Sequence, residues 1–159
     1  MNAQVIGIQI HADHRERPLA VDEFSGLAGG GLVGDSHEGR AKRAVLVLDR
    51  STLDDLGLGP GDLREQITVE GLREVTSLAE GTELRIGGLG LRVNGPCAPC
   101  THIGDLLSVP DPEEFRRSLE GRRGALCTVT AAGVARIGDA VEVIGSSDAD
   151  EVSGPAARG

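Results

Sequence analysis

The sequence predicts a mainly β fold, a barrel of short antiparallel or mixed strands with a few short helices. Three observations lead there. Short apolar runs bounded by turn residues outnumber helical patterns, strands and helices do not alternate regularly, and 24 of the 159 residues are glycine, so the chain turns often. Trp and Tyr are absent and Phe24 and Phe115 are the only aromatic residues. The core must therefore be built from Val, Leu, Ile and Ala.

Taken in order, Gln4 to Ile10 forms a first strand, closed by His11-Ala12-Asp13. Residues 11–42 are rich in glycine and charge, with Gly29-Gly30-Gly31 and Gly34-Asp35, and a segment that long without periodicity is expected to be a functional loop. Ala44 to Leu48 suits a buried strand. Ser51 to Leu56 is helical, with capping-box spacing between Ser51 and Asp54 and Gly57 at the left-handed end. Gly59-Pro60-Gly61-Asp62 is a tight turn, and Gln66 to Glu70 is a strand with Ile67 and Val69 on one face. Glu83 to Ile86 and Leu89 to Val93 flank Gly87-Gly88, a hairpin signal. Asp111 caps a second short helix with Pro112 at its first position, and Gly121 is expected to end it. Ala125 to Thr130 and Ala140 to Ile144 are the last strands, joined through Gly133 and Gly138-Asp139. A folded domain is expected over residues 1–145. Residues 146–159 carry Val152 as their only large apolar residue, which predicts a disordered tail.

Charge and composition exclude several functions. The net charge is −9, and a net anion without exposed rings is poorly suited to nucleic acid. No apolar run approaches the ~20 residues of a membrane span, and the apolar start at Met1 has no basic flank or cleavage-like end. Three cysteines do not make the even, dense set of a stapled secreted domain. A soluble, cytoplasmic protein is expected. Lys42 is the only lysine, so Schiff-base chemistry has one candidate residue and pyridoxal phosphate is not expected.

The sharpest chemical feature is Asn94-Gly95-Pro96-Cys97-Ala98-Pro99-Cys100-Thr101-His102. Two thiols sit three apart in a loop stiffened by proline, just after a strand. Four readings stay open on these residues. The pair could join His102 and Cys127 or His37 in a zinc site, though a second ligand knuckle is missing. It could be a redox pair, although Pro99 suits a helix start poorly. It could pack inertly, as buried cysteines commonly do and as Cys127 in its apolar strand is expected to do. It could offer sulfur to a soft metal or to sulfur transfer. The second feature, Gly34-Asp35-Ser36-His37-Glu38-Gly39-Arg40 with Lys42-Arg43, puts an acid, an imidazole and cations in one glycine-rich loop suited to a phosphate. The plain alternative is a solvated loop. Arg64-Glu65 at the entry to a strand could hold an anion or orient a loop, with a surface ion pair as the simpler account, and Arg122-Arg123 between Gly121 and Gly124 could capture an anion or simply be solvated.

Together these pieces resemble a small standalone MOSC domain, the module named after the C-terminal part of molybdenum-cofactor sulfurases. The resemblance rests on Gly34-Asp35-Ser36-His37, on Arg43 before a strand, and on Pro60-Gly61-Asp62-Leu63-Arg64-Glu65-Gln66-Ile67-Thr68-Val69-Glu70-Gly71. It continues through Gly81-Thr82-Glu83-Leu84-Arg85-Ile86-Gly87, Gly95-Pro96-Cys97-Ala98-Pro99-Cys100, Gly121-Arg122-Arg123-Gly124 and Arg136-Ile137-Gly138-Asp139, covering roughly residues 5–144. It implies a MOSC-type β-barrel that binds a molybdopterin-type molybdenum cofactor. It also implies Cys100 as a molybdenum ligand or persulfide carrier, with Cys97 as an auxiliary or resolving thiol. Asp35 and His37 fall at implied catalytic positions, and Arg40, Arg43, Arg64, Glu65, Thr68, Arg122 and Arg123 at implied cofactor-binding ones. The chain departs from the family at Gln66, where asparagine is usual, and at Ser36, where arginine is usual.

The function expected is sulfur transfer or reduction of N-hydroxylated compounds at a cysteine-ligated molybdenum, on a small-molecule substrate. The chain has no room for a flavin or iron–sulfur domain, so a separate protein is expected to donate electrons or sulfur. The alternative is a non-catalytic binding or regulatory module whose cysteine pair holds zinc or only packs.

Overall fold

The computed structural model describes residues 3–10, 19–27, 31–32, 45–97 and 107–146. Its strands are β1 (Ala3–Ile10), β2 (Leu19–Val21), β3 (Glu23–Leu27), β4 (Gly31–Leu32), β5 (Val45–Asp49), β6 (Ile67–Glu70), β7 (Thr82–Ile86), β8 (Leu89–Pro96), β9 (Ala125–Ala131), β10 (Gly133–Arg136) and β11 (Ala140–Ser146). Two α-helices lie among the described residues, α1 (Arg50–Leu56) and α2 (Pro112–Ser118), with a 3-10 turn at Val75–Ser77.

The main sheet runs β11-β7-β8-β9-β5-β6-β1-β2, and a further pairing of β11 with β1 closes it. Seven strands thus form a barrel, with β2 added outside on β1. A ring of strands closes only if the number of direction reversals is even, so seven strands require a parallel neighbour pair. That pair is β5–β6, with Val47 opposite Ile67 and Asp49 opposite Val69. Parallel neighbours need a long crossover, and α1 with the turn after it supplies one. The turn that carries the family-like motif is therefore part of the link that closes the barrel.

Alternation along β5 separates two cores. Val45 and Val47 face the barrel interior with Val5, Ile8, Ile67, Leu84, Leu91 and Val129. Leu48 faces out, where Leu53 of α1, Leu63 and Leu119 cover it. β5 is buried on both faces for that reason, and its apolar run shows no polar alternation. Phe115 of α2 packs against this outer cluster.

Several expectations need correction. Asp49, not Ser51, caps α1: it lies in extended backbone and its Oδ2 accepts from the Ser51 amide at 2.9 Å. A carboxylate one residue before the helix is nearer to the unpaired first amides than Ser51 inside it. Gly57 does take the left-handed position, φ 71°. Helix α2 starts as expected at the Asp111 cap and Pro112, but it ends at Ser118 rather than running to Gly121. The segment 11–42 is not one continuous loop, because it carries β2, β3 and β4. A further strand, β10, pairs with β3. Strands of two to five residues leave too little local pattern to see in sequence, and β3 and β10 pair across most of the chain. β11 runs to Ser146, and residues 147–159 of the expected tail lie outside the described residues.

Candidate functional site

The 59–65 turn is built by its own hydrogen bonds. Gly59 donates its amide to Asp62 Oδ2 at 2.8 Å, the Asp62 amide donates to the Gly59 carbonyl at 3.1 Å, and the Arg64 amide donates to the Gly61 carbonyl at 2.9 Å. Gly61 has φ 91° and Arg64 has φ 64°. A side-chain-bearing residue in left-handed backbone costs roughly 1–2 kcal/mol, so Arg64 is held there by its surroundings.

Glu65 does much of the holding. It is fully buried, and its Oε2 accepts from the Gly61 amide at 2.9 Å and from the Thr68 hydroxyl at 2.6 Å. Gln9 of β1 donates to the Glu65 carbonyl at 2.9 Å and to Thr68 Oγ1 at 3.3 Å. Burial pushes the Glu65 carboxyl above the usual glutamate range, and the bonds from Gly61 and Thr68 oppose that without cancelling it. Glu65 and Thr68 thus brace the turn against β1. Gln9 was missed in the sequence; a glutamine inside an apolar strand was the available signal.

Gln66 is committed in a different direction. Its Oε1 accepts from the Leu46 amide at 2.7 Å and its backbone N–H donates to the Leu46 carbonyl at 3.1 Å. The residue that departs from the family pattern therefore ties the turn to β5.

The two arginines of Gly121-Arg122-Arg123-Gly124 separate. Arg122 points outward, donating to Asp55 of α1 at 3.1 Å and to the Ser118 carbonyl at 2.9 Å. Arg123 points inward and is only 6 % exposed. One of its terminal nitrogens donates to Cys97 Sγ at 3.2 Å, and the other donates to the Leu63 carbonyl at 3.0 Å. Cys97, also 6 % exposed, donates its amide to the Gly124 carbonyl at 2.9 Å. Gly124 has φ 92°, and a Cβ there would lie 2.5 Å from the Val47 carbonyl oxygen, so only glycine lets this turn press against β5. Its amide is held in turn by Thr76 Oγ1 at 2.9 Å.

Three motifs that are far apart in sequence therefore meet at one guanidinium: the 59–65 turn, the strand end carrying Cys97, and the Gly-Arg-Arg-Gly turn. Cys127 stands in contrast. It is fully buried in the barrel core, its sulfur lies 3.8 Å from the Ala125 carbonyl, and burial pushes its thiol up to about 12. Asp35, His37, Arg40, Lys42, Arg43, Cys100 and His102 lie outside the described residues. Among the described residues no group of three His, Cys, Asp or Glu side chains could hold a metal, and no helix is long and apolar enough to cross a membrane.

A family model described as the MOSC domain matches residues 34–142. No curated protein sequence matches the chain. Among solved structures, the YuaD protein from Bacillus subtilis is similar with a TM-score of 0.80 and 23 % identity, over 89 % of this chain and 94 % of that one. YiiM from Geobacillus stearothermophilus is similar with a TM-score of 0.70 and 16 % identity, over 89 % of this chain and 75 % of that one. YiiM from Escherichia coli gives 0.66 and 20 %, over 89 % and 69 %. At these identities the likeness to the solved structures is one of fold.

Proposed function

Since the chain belongs to the MOSC family, whose domain model spans more than half of it, we propose that it binds a molybdopterin-type molybdenum cofactor and acts, in the cytoplasm, in sulfur transfer or in the reduction of N-hydroxylated compounds. The observation that carries this reading is the meeting of the Pro-Cys strand end, the Arg64–Glu65 turn and Arg123 at one end of the barrel.

The donor chemistry of the described residues fits such a group in part. A soft sulfur beside a cation suits a soft metal carried on an anionic ligand. The arginines divide more narrowly than their number suggests, because Arg122 is engaged by Asp55 and Arg123 by Cys97 and Leu63. Arg64, Arg40 and Arg43 would hold the anionic end of the cofactor, and Cys100 would ligate the metal or carry persulfide. Asp35 and His37 would handle protons at the substrate. When bound, the cofactor would supply two-electron redox chemistry at molybdenum. Glu65 and Thr68 would act indirectly, by keeping Arg64 in its left-handed pose. A separate protein would donate electrons or sulfur.

The test is metal and pterin analysis of protein isolated from a molybdenum-replete, cofactor-competent host. Cys100→Ala should lose both molybdenum and pterin, and Cys127→Ala should keep both. Equal metal content in all three proteins would sink Cys100 as the ligand. Stoichiometric zinc without molybdenum would favour the non-catalytic module instead.

A further inference from the structure

The buried contact between Arg123 and Cys97 does something that an anion cradle would not. A thiol sulfur is a weak acceptor, whereas a thiolate is a strong one. A guanidinium that brings one nitrogen to within 3.2 Å of Sγ, inside a site almost closed to water, therefore favours the ionised sulfur. Its second nitrogen is fixed on the Leu63 carbonyl, so the fork cannot swing away cheaply. The next residue completes the hold, since the Gly124 carbonyl takes the Cys97 amide. Sulfur and backbone of one cysteine are thus gripped by two consecutive residues.

We propose that Arg123 is a positioning residue that holds the Cys97 sulfur as a thiolate and docks it against the 59–65 turn. Cys97 is then a standing nucleophile or soft donor rather than a packed thiol, and Arg123 does not face the ligand. Among the described residues, the other charged groups that these elements bring to this end are Asp62, Arg64, Glu65 and Arg122. Glu65 is buried in its own bonds to Gly61 and Thr68, and Arg122 is turned towards Asp55. The proposal goes beyond the cofactor reading and needs no cofactor, so either can fail without the other.

Iodoacetamide labelling against pH tests it in Cys100→Ser protein, with Cys97 and Cys127 told apart by peptide mass. With Arg123 in place, Cys97 should label with a lower pH midpoint than Cys127. Arg123→Met should raise the Cys97 midpoint by about one pH unit or more and slow its labelling at neutral pH about tenfold or more, the size of effect a neighbouring guanidinium has on an acid. Arg123→Lys, which keeps the charge but not the fork, should restore part of the rate. A Cys97 midpoint as high as that of Cys127 while Arg123 is present overturns the proposal, whatever becomes of the variants. So does a folded Arg123→Met protein whose Cys97 labels at an unchanged or faster rate, because that outcome makes Arg123 a shield and not a holder of charge.

Discussion

Cys97 and Cys127 are both buried thiols near paired strands, yet their surroundings differ. Cys127 sits in β9 among Val45, Val93 and other core side chains and, among the described residues, has only a distant carbonyl beside its sulfur. Cys97 follows β8 where the barrel meets its loops, and a guanidinium donates to it. Burial raises the Cys127 thiol from 9.0 to about 12, while an adjacent opposite charge pulls an acid the other way. The neighbour therefore decides the chemistry of a buried cysteine. Arg122 and Arg123 show the same lesson on the opposite charge. Adjacent in sequence, one is engaged on the surface by Asp55 and the other is spent on sulfur.

The largest effect that could break the comparison comes from the turn that aims Arg123. Gly124→Ala should cost about 3 kcal/mol or more in urea unfolding, since it adds a side chain in left-handed backbone and sets it against the Val47 carbonyl. A loss under about 1 kcal/mol would mean that the turn does not have to press on β5. Next, serine should distinguish the two cysteines. Cys127→Ser should cost about 2 kcal/mol, because it buries a hydroxyl in an apolar core, whereas Cys97→Ser should cost about 3 kcal/mol, because it takes the anionic partner from a buried guanidinium. Equal losses at both positions would erase the distinction.

A third prediction concerns pH. The folded chain holds the Glu65 proton more tightly than the unfolded chain, whose reference is 4.5. The stability this contributes is complete below that value and is lost as pH rises through the folded pKa. Glu65→Gln cannot ionise, so its stability relative to the parent protein should increase as pH rises from about 4.5. Paired melting curves that stay parallel across that range would remove Glu65 from the account. The smallest effect is expected at Arg122→Ala. Its pair with Asp55 is exposed, so the loss should stay under about 1 kcal/mol, well below that of Arg123→Ala.

Much of this was legible locally. Gly57 after an amphipathic turn, Gly87-Gly88 between two apolar runs, and Asp111-Pro112 each carry their conformation in their own chemistry, and the structure places a helix end, a hairpin and a helix start there. The barrel was legible as a class because short strands have few other ways to hide their edges. The strands β2, β3, β4 and β10 were not, since each is too short to show a pattern, and β3 pairs with the distant β10 and with a two-residue strand. The site shows the same division. The sequence singled out Cys97, Arg64, Glu65, Thr68, Arg122 and Arg123, but it could not say that Arg122 turns out while Arg123 turns in. The direction of adjacent side chains in a glycine-flanked turn is set by tertiary contacts, here those of Gly124 with Val47 and Thr76. The braces Gln9 and Asp49 escaped notice because each is a single polar residue in or beside an apolar strand.

One measurement bears most directly on the functional claim: molybdenum, zinc and pterin content of the unaltered protein after isolation from a cofactor-competent host. The account predicts molybdenum and pterin in equal amounts, travelling with the protein through gel filtration. Protein that carries neither, or that carries zinc in their place, would contradict it.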